Sequence, residues 1–312
     1  MARQLRIEYP GAFYHITSRG NQKERVFFSD QDRIVLLDCL RDANKKYGAV
    51  IHTYCLMDNH YHLLLETPYA NLSKIMHFIN TSYTISFNTK HSRVGHLFQG
   101  RFKAILIEAD SYAQELSRYI HLNPVRAGIV ARPEEFTWSS YLTFISERRP
   151  APWLNTAMVL GYFDQDLRIA GTRYAIFVGA AIGKDVDNPL IKADPSLILG
   201  SDNFVAQIKA AVLSDKTENR DVPAIRSLKE KPPIEIIQRA VEQTLGAKNR
   251  FARNAAIFLC HTRTDYALKE ISEFYSIGKS AIASVCRQMT ENLTWNKILK
   301  STIDEIAKSL FK

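Results

Sequence analysis

Over residues 13–126 the hydrophobic period switches back and forth between two and 3.6 residues, and this alternation limits the fold more than any other feature. Phe13-Tyr-His-Ile-Thr-Ser18 is rich in aromatic and β-branched side chains and reads as a strand. Ser29 and Asp30 offer N-caps for a helix to Tyr47, with the stripe Leu36, Leu37, Leu40 and Ala43 and a stop at Gly48. Val50–Met57 and Tyr61–Glu66 read as strands around the turn Asp58-Asn59. A second helix follows from Asn71 to Thr89, with the stripe Leu72, Ile75, Met76, Ile79 and Tyr83, and Ala104–Ile107 is a fourth strand. Ser111-x-x-Gln114 makes a capping box for a third helix. That helix is expected to end at Asn123, because the residue before Pro124 is disfavoured in helical geometry.

The order β-α-β-β-α-β-α gives an α+β class. Its first six elements match the ferredoxin-like split arrangement, an antiparallel sheet with helices on one face. The fold alone implies no activity. The rest of the chain differs. Residues 150–233 carry Pro, Gly and Asp punctuation, with helical patches near Trp153–Gly161 and Asn203–Leu213, and end in a polar stretch, Asp215–Pro233, that reads as a linker. Residues 234–312 read as helical throughout. Three segments result: 1–149, a mostly helical connector over 150–233, and a helical module over 234–312.

Charge and composition narrow the function. The 312 residues carry a formal charge of +9, and 46% are hydrophobic, which excludes a disordered chain. Residues 1–150 carry +5, residues 234–312 carry +4, and the stretch between is neutral. Two basic modules point to a polyanion, most simply nucleic acid. The longest apolar run, Tyr174–Gly183, is far short of the ~20 residues that span a bilayer. The N-terminus lacks the apolar core of a signal peptide. Cys39, Cys55, Cys260 and Cys286 form no paired framework. A cytoplasmic, nucleoid-associated protein with free thiols and no membrane contact is the simplest expectation.

His60 and His62 are two apart on a strand, so both imidazoles face one way and could share a divalent cation. A hydrogen-bonded structural pair is the competing reading. The other seven histidines are scattered, and each reads as structural or surface. Tyr119 and Asn123 lie one helical turn apart on one face. Either they bring a phenol and an amide oxygen to a site, or Tyr119 packs beside Leu116 and Ile120 while Asn123 ends the helix.

Three strings in order bear on these alternatives. Phe13-Tyr-His-Ile-Thr-Ser-Arg-Gly-Asn21, Tyr54-Cys-Leu-Met-Asp-Asn-His-Tyr-His-Leu-Leu-Leu-Glu66 and Arg118-Tyr-Ile-His-Leu-Asn-Pro-Val-Arg-Ala-Gly128 together resemble the REP-associated tyrosine transposases. Those are relatives of the insertion-sequence-200-like transposases within the single-tyrosine HUH nucleases. The resemblance covers residues 5–145 and implies an HUH nuclease fold for the first segment. It implies that His60 and His62 are metal ligands, that Tyr61 fills the hydrophobic position between them, that Tyr119 is the nucleophile, and that Asn123 is a third, amide ligand. Tyr112, two turns earlier, does not match the nucleophile position. The implied cofactor is Mg²⁺ or Mn²⁺. The implied reaction is nicking and rejoining of structured single-stranded DNA, hairpins of repetitive extragenic palindromes, through a 5′-phosphotyrosine link. A free phenol ionises near ~10, so a metal or a nearby cation, Arg118 or Arg126, is expected to assist. Relatives act as monomers or homodimers.

Basic side chains interleaved with aromatics suit single-stranded or hairpin DNA. Candidates are Arg19, Lys23 and Arg25 after the first strand, and Arg93, Arg101 and Lys103 around Gly95-His-Leu-Phe98. Residues 267–290 read as helix, turn, helix, whose second helix would expose Lys279, Ser280, Ala283, Ser284 and Arg287 to DNA. This module also resembles the helical DNA-binding domain of the initiator DnaA. A non-catalytic DNA-binding regulator on the same fold is the alternative, and a replication or mobilisation nuclease is a third reading.

Overall fold

The computed structural model describes residues 7–184, 189–193, 197–214, 232–246, 250–264 and 266–310. The expected split arrangement is present. Strand β1 (Ala12–Arg19) is followed by α1 (Asp30–Tyr47), β2 (Val50–Met57), β3 (His60–Thr67), α2 (Leu72–Lys90), β4 (Lys103–Ile107) and α3 (Ala109–Arg126). The strands lie in the order β2-β3-β1-β4, all antiparallel, and a short β5 (Ile198–Leu199) extends the sheet in parallel beside β4.

Strand alternation splits the side chains between two cores. Ile16, Tyr61, Leu63 and Leu65 face Leu36, Leu40, Ile75, Ile79 and Tyr83 of α1 and α2. Cys55, Met57 and Leu64 face the opposite way, onto Leu116 and Ile120 of α3. This second face is closed by α4 (Tyr141–Phe144), α5 (Ala157–Leu160) and α6 (Leu167–Gly179), through Phe144, Val159 and Tyr174. The sheet is thus covered on both sides, which is why β2 and β3 are buried almost continuously. The segment expected as a connector supplies α5, α6 and β5 to this core. The patch near Trp153–Gly161 is helical only over Ala157–Leu160, and α7 (Asp202–Ser214) matches the later patch.

Helix α3 departs from expectation at both ends. It starts at Ala109, where Glu108 O accepts from Ser111 N and Tyr112 N, so the Ser111 capping box is unused. It also continues through Pro124 to Arg126. A helical proline forfeits one hydrogen bond and costs ~3 kcal/mol. Here Ile120, Leu122 and Pro124 are buried, and Ala127 N, Gly128 N and Ile129 N continue the ladder onto Asn123, Val125 and Pro124. Burial and these bonds outweigh the loss.

The C-terminal module comprises α8 (Ile234–Leu245), α9 (Arg250–Thr262), α10 (Leu268–Tyr275), α11 (Lys279–Trp295) and α12 (Lys297–Leu310) around its own core. The segment read as helix, turn, helix is α10 and α11, joined through Ser276 in left-handed geometry (φ 50°). This module docks where α9 ends. Lys74 Nζ donates to the carbonyls of His261 (2.8 Å), Thr264 (2.7 Å) and Tyr266 (3.1 Å). Asn71 Nδ2 donates to Thr262 O (2.7 Å). Of these carbonyls His261 belongs to the last turn of α9 and the other two follow it, so the ammonium sits at the negative end of that helix. Arg263 lies over the Tyr69 ring at 4.5 Å. Except for Pro232 and Pro233, the expected linker lies outside the described residues. Among the described residues no helix is long and apolar enough to cross a membrane, and all four cysteines are buried free thiols.

Gly48 serves two purposes. It ends α1 at φ 71°, and a Cβ there would stand 2.3 Å from Arg263 Nη1. Gly48→Ala is therefore expected to cost about 1–3 kcal/mol from the left-handed backbone and to loosen the docked module, read as a lower midpoint in chemical denaturation.

Candidate nuclease site

The site lies on the α3 side of the sheet. Antiparallel pairing sets Thr17 opposite His62 and Arg19 opposite His60. His60 and His62 therefore share a face with His15, Thr17 and Arg19 of the neighbouring strand. The imidazole centroids of His60 and His62 are 4.9 Å apart. Tyr61 points the other way, where its hydroxyl donates to Asn80 Oδ1 (2.6 Å).

Helix α3 brings Tyr119 to this face. Its ring centroid is 6.0 Å from that of His62 and 6.3 Å from that of His15, edge-on in both cases. Asn123 Nδ2 donates to Tyr119 O (2.8 Å), which commits the amide nitrogen to the helix and makes Oδ1 the atom that could serve as a ligand. The far side of α3 is anchored by a buried network. Tyr174 O–H donates to Ser117 Oγ (3.1 Å), so its oxygen accepts from His121 Nδ1 (2.6 Å). Ser140 Oγ pairs with His121 Nε2 (2.7 Å) and accepts from Tyr54 N (3.0 Å). Helix α6, the turn before α4 and β2 together fix the rotation of α3.

These groups open onto a cavity of about 810 Å³. Thr17, Met57, His60, His62, Tyr119 and Asn123 form its floor and walls, and Arg19, Arg101, Lys103 and Arg126 line it with Gln99. No acidic side chain lines it among the described residues. Such a cavity focuses positive potential on an anionic ligand. The Arg126 guanidinium lies 5.1 Å from the Tyr119 ring centroid.

The histidines are held neutral. Burial, then the Arg19 charge, lowers His60 to about 4. Burial, then His60, lowers His15 to about 3. His62 falls well below the ordinary range through burial first, then through His15 and His60. Neutral imidazoles keep the lone pairs that a cation needs. No group of three or more His, Cys, Asp or Glu arranged for a metal occurs among the described residues, so an amide or the substrate would have to complete the set. One observation fits a metal directly: His62 Nε2 is buried with no hydrogen-bond partner. Buried polar atoms are seldom left unpaired, and a cation would satisfy this one.

The other sequence candidates divide. Arg19, Arg101, Lys103 and Arg126 converge on the cavity. Arg25 pairs with Asp58 at 2.8 Å and Arg93 with Glu24 at 2.9 Å, both outside the lining. Lys23 is exposed in the loop after β1. Arg118 pairs with Glu115 and lies 4.1 Å over the Phe177 ring, away from Tyr119. On α11, Lys279, Ser280, Ala283, Ser284 and Arg287 are exposed, while Ile282, Cys286 and Met289 are buried. Sequence reasoning missed His15, Thr17 and Gln99. Alternation placed His15 and Thr17 on one face of β1, but only the strand register shows that this is the face of His60 and His62.

The family model described as "Transposase IS200 like" matches residues 9–123. Over this stretch, rather more than a third of the chain, the sequence is similar to the IS200-like transposases. The match spans β1 through Asn123, so both histidines, Tyr119 and the amide fall inside it. A solved REP-associated tyrosine transposase bound to a REP hairpin is also similar, with 17% identity and a TM-score of 0.42 over 50% of this chain and 92% of that one. Comparison with curated proteins found no match.

Each phosphate contact made by a lining cation contributes ~0.7 to the salt slope of single-strand binding. Replacing Arg101 and Lys103 together by Gln should lower the slope of log K against log salt by about 1.4. Fluorescence anisotropy over a salt series reads this directly. An unchanged slope would place the DNA elsewhere.

Proposed function

We propose that this chain nicks and rejoins structured single-stranded DNA, including palindromic hairpins, through a covalent link to Tyr119. The convergence of Tyr119, His60 and His62 on one basic cavity, all from one chain, is the observation that carries this reading. The family match and the three sequence strings support it. His60, His62 and Asn123 are the residues that would hold Mg²⁺ or Mn²⁺. Bound there, the cation would supply charge neutralisation at the scissile phosphate.

The chain's own groups divide the remaining work. Arg19, Arg101, Lys103 and Arg126 bind the backbone and hold the scissile phosphate at the cavity mouth. The Tyr119 oxygen attacks phosphorus in line and gives up its phenolic proton. The P–O bond to the 3′-oxygen breaks, and that oxygen leaves as a hydroxyl once protonated. The product is a 5′-phosphotyrosine, which conserves the bond energy, so a 3′-hydroxyl can reverse the step and join strands. This reading draws all of these residues from one chain and so needs no partner subunit. The α11 face bearing Lys279, Ser280, Ser284 and Arg287 would hold the duplex stem of a hairpin.

Tyr119→Phe removes only the attacking oxygen. With a hairpin oligonucleotide and Mn²⁺, the wild type is expected to give an adduct that resists denaturing electrophoresis, and the variant none. An adduct formed equally by the variant would remove Tyr119 from the reaction. Tight hairpin binding with no wild-type adduct at any metal concentration would favour the non-catalytic regulator.

A further inference from the structure

We infer that His15 and Asn59 are positioning residues for the metal pair, each holding the ring nitrogen that its histidine does not offer to the cation. The inference rests on the metal reading above and extends it to residues outside the ligand set.

A ligating imidazole needs its lone pair on one nitrogen and its proton on the other, and that second N–H normally finds an acceptor. For His60 the acceptor is Asn59 Oδ1, 2.6 Å from Nδ1. The Asn59 amide is oriented in turn, because its Nδ2 donates to Lys23 O at 3.1 Å. Its oxygen must therefore face the ring, its neighbour Nδ1 must carry the proton, and Nε2 keeps the lone pair.

His62 follows the same logic one strand away. Its Nδ1 is 2.9 Å from His15 Nε2 and 3.3 Å from Thr17 Oγ1. Its Nε2 is buried and unpartnered. A proton on Nε2 would be a buried donor with no acceptor and would block ligation. A proton on Nδ1 is donated to His15 Nε2 and frees the orphaned Nε2 for the cation. His15 is 3% exposed, does not line the cavity, and meets His62 from behind. It acts through His62 and is not a third ligand. Its place follows from the register: Thr17 stands opposite His62, so His15 is the diagonal neighbour, within reach of a ring.

The test reads tautomers and affinity, not turnover. Long-range ¹H–¹⁵N spectra of the metal-free full chain should show His60 and His62 protonated at Nδ1. His15→Leu should move His62 toward the Nε2-protonated form. Calorimetric titration with Mn²⁺ alone should show His15→Leu and Asn59→Leu weakened by about 10–100-fold. His15→Gln, whose amide oxygen can accept in place of Nε2, should stay within about threefold of the wild type. Wild-type His62 protonated at Nε2 would overturn the inference, and so would wild-type Mn²⁺ affinity in His15→Leu. If His15→Leu does not fold, the wild-type tautomers still decide. If the wild type binds no Mn²⁺, the metal reading itself fails, while a loss in His60→Ala and His62→Ala without one in His15→Leu sinks this inference alone.

Discussion

The antiparallel register of β1 against β3 is the constraint on which the site depends. It places His62 beside Thr17 and diagonal to His15, and His60 beside Arg19. A slip of one residue would turn both histidines into the α1/α2 core and bring Tyr61 to the cavity. The two buried faces forbid that slip: Tyr61, Leu63 and Leu65 fill one core while Leu64 fills the other. The chemistry is thus held in place by the same apolar alternation that builds the sheet.

Helix α3 supplies the second half, and its placement is set from the side away from the cavity. His121, between Tyr119 and Asn123, is buried among Tyr174, Ser140 and Ser117, and burial lowers it to about 3, so it remains neutral within the network. The segment after residue 150 therefore bears on the position of Tyr119, although none of its described residues lines the cavity. The helical module is tied to the opposite layer, with the Lys74 ammonium and the Asn71 amide at the end of α9. Two basic surfaces are joined by a polar, hydrogen-bonded contact close to the end of α1.

Much of this was legible in the residues. Periods of two and 3.6 placed β1 to β4, α1 and α2 within a residue or two, because strand side chains alternate between two faces and each helix buries one stripe. The His60-Tyr61-His62 alternation was legible for the same reason, as was the exposed face of α11. What lay beyond the sequence depended on contacts distant along the chain. β5 is two residues long and exists only because β4 offers an open edge. Pro124 stays helical because tertiary burial outweighs its local preference. His15 looked structural because no single strand reveals its register partner, and Arg118 looked available because its packing against Phe177 joins segments some sixty residues apart in the numbering.

The central claim is that two strand histidines offer their Nε2 atoms to one cation beside Tyr119. Pulsed EPR of the Mn²⁺-loaded full chain, with ¹⁵N-labelled histidine, measures this most directly. Two directly coordinated imidazole nitrogens are predicted, falling to one in His60→Ala and in His62→Ala. Manganese with no coupled imidazole nitrogen, or couplings unchanged in both variants, would contradict the account.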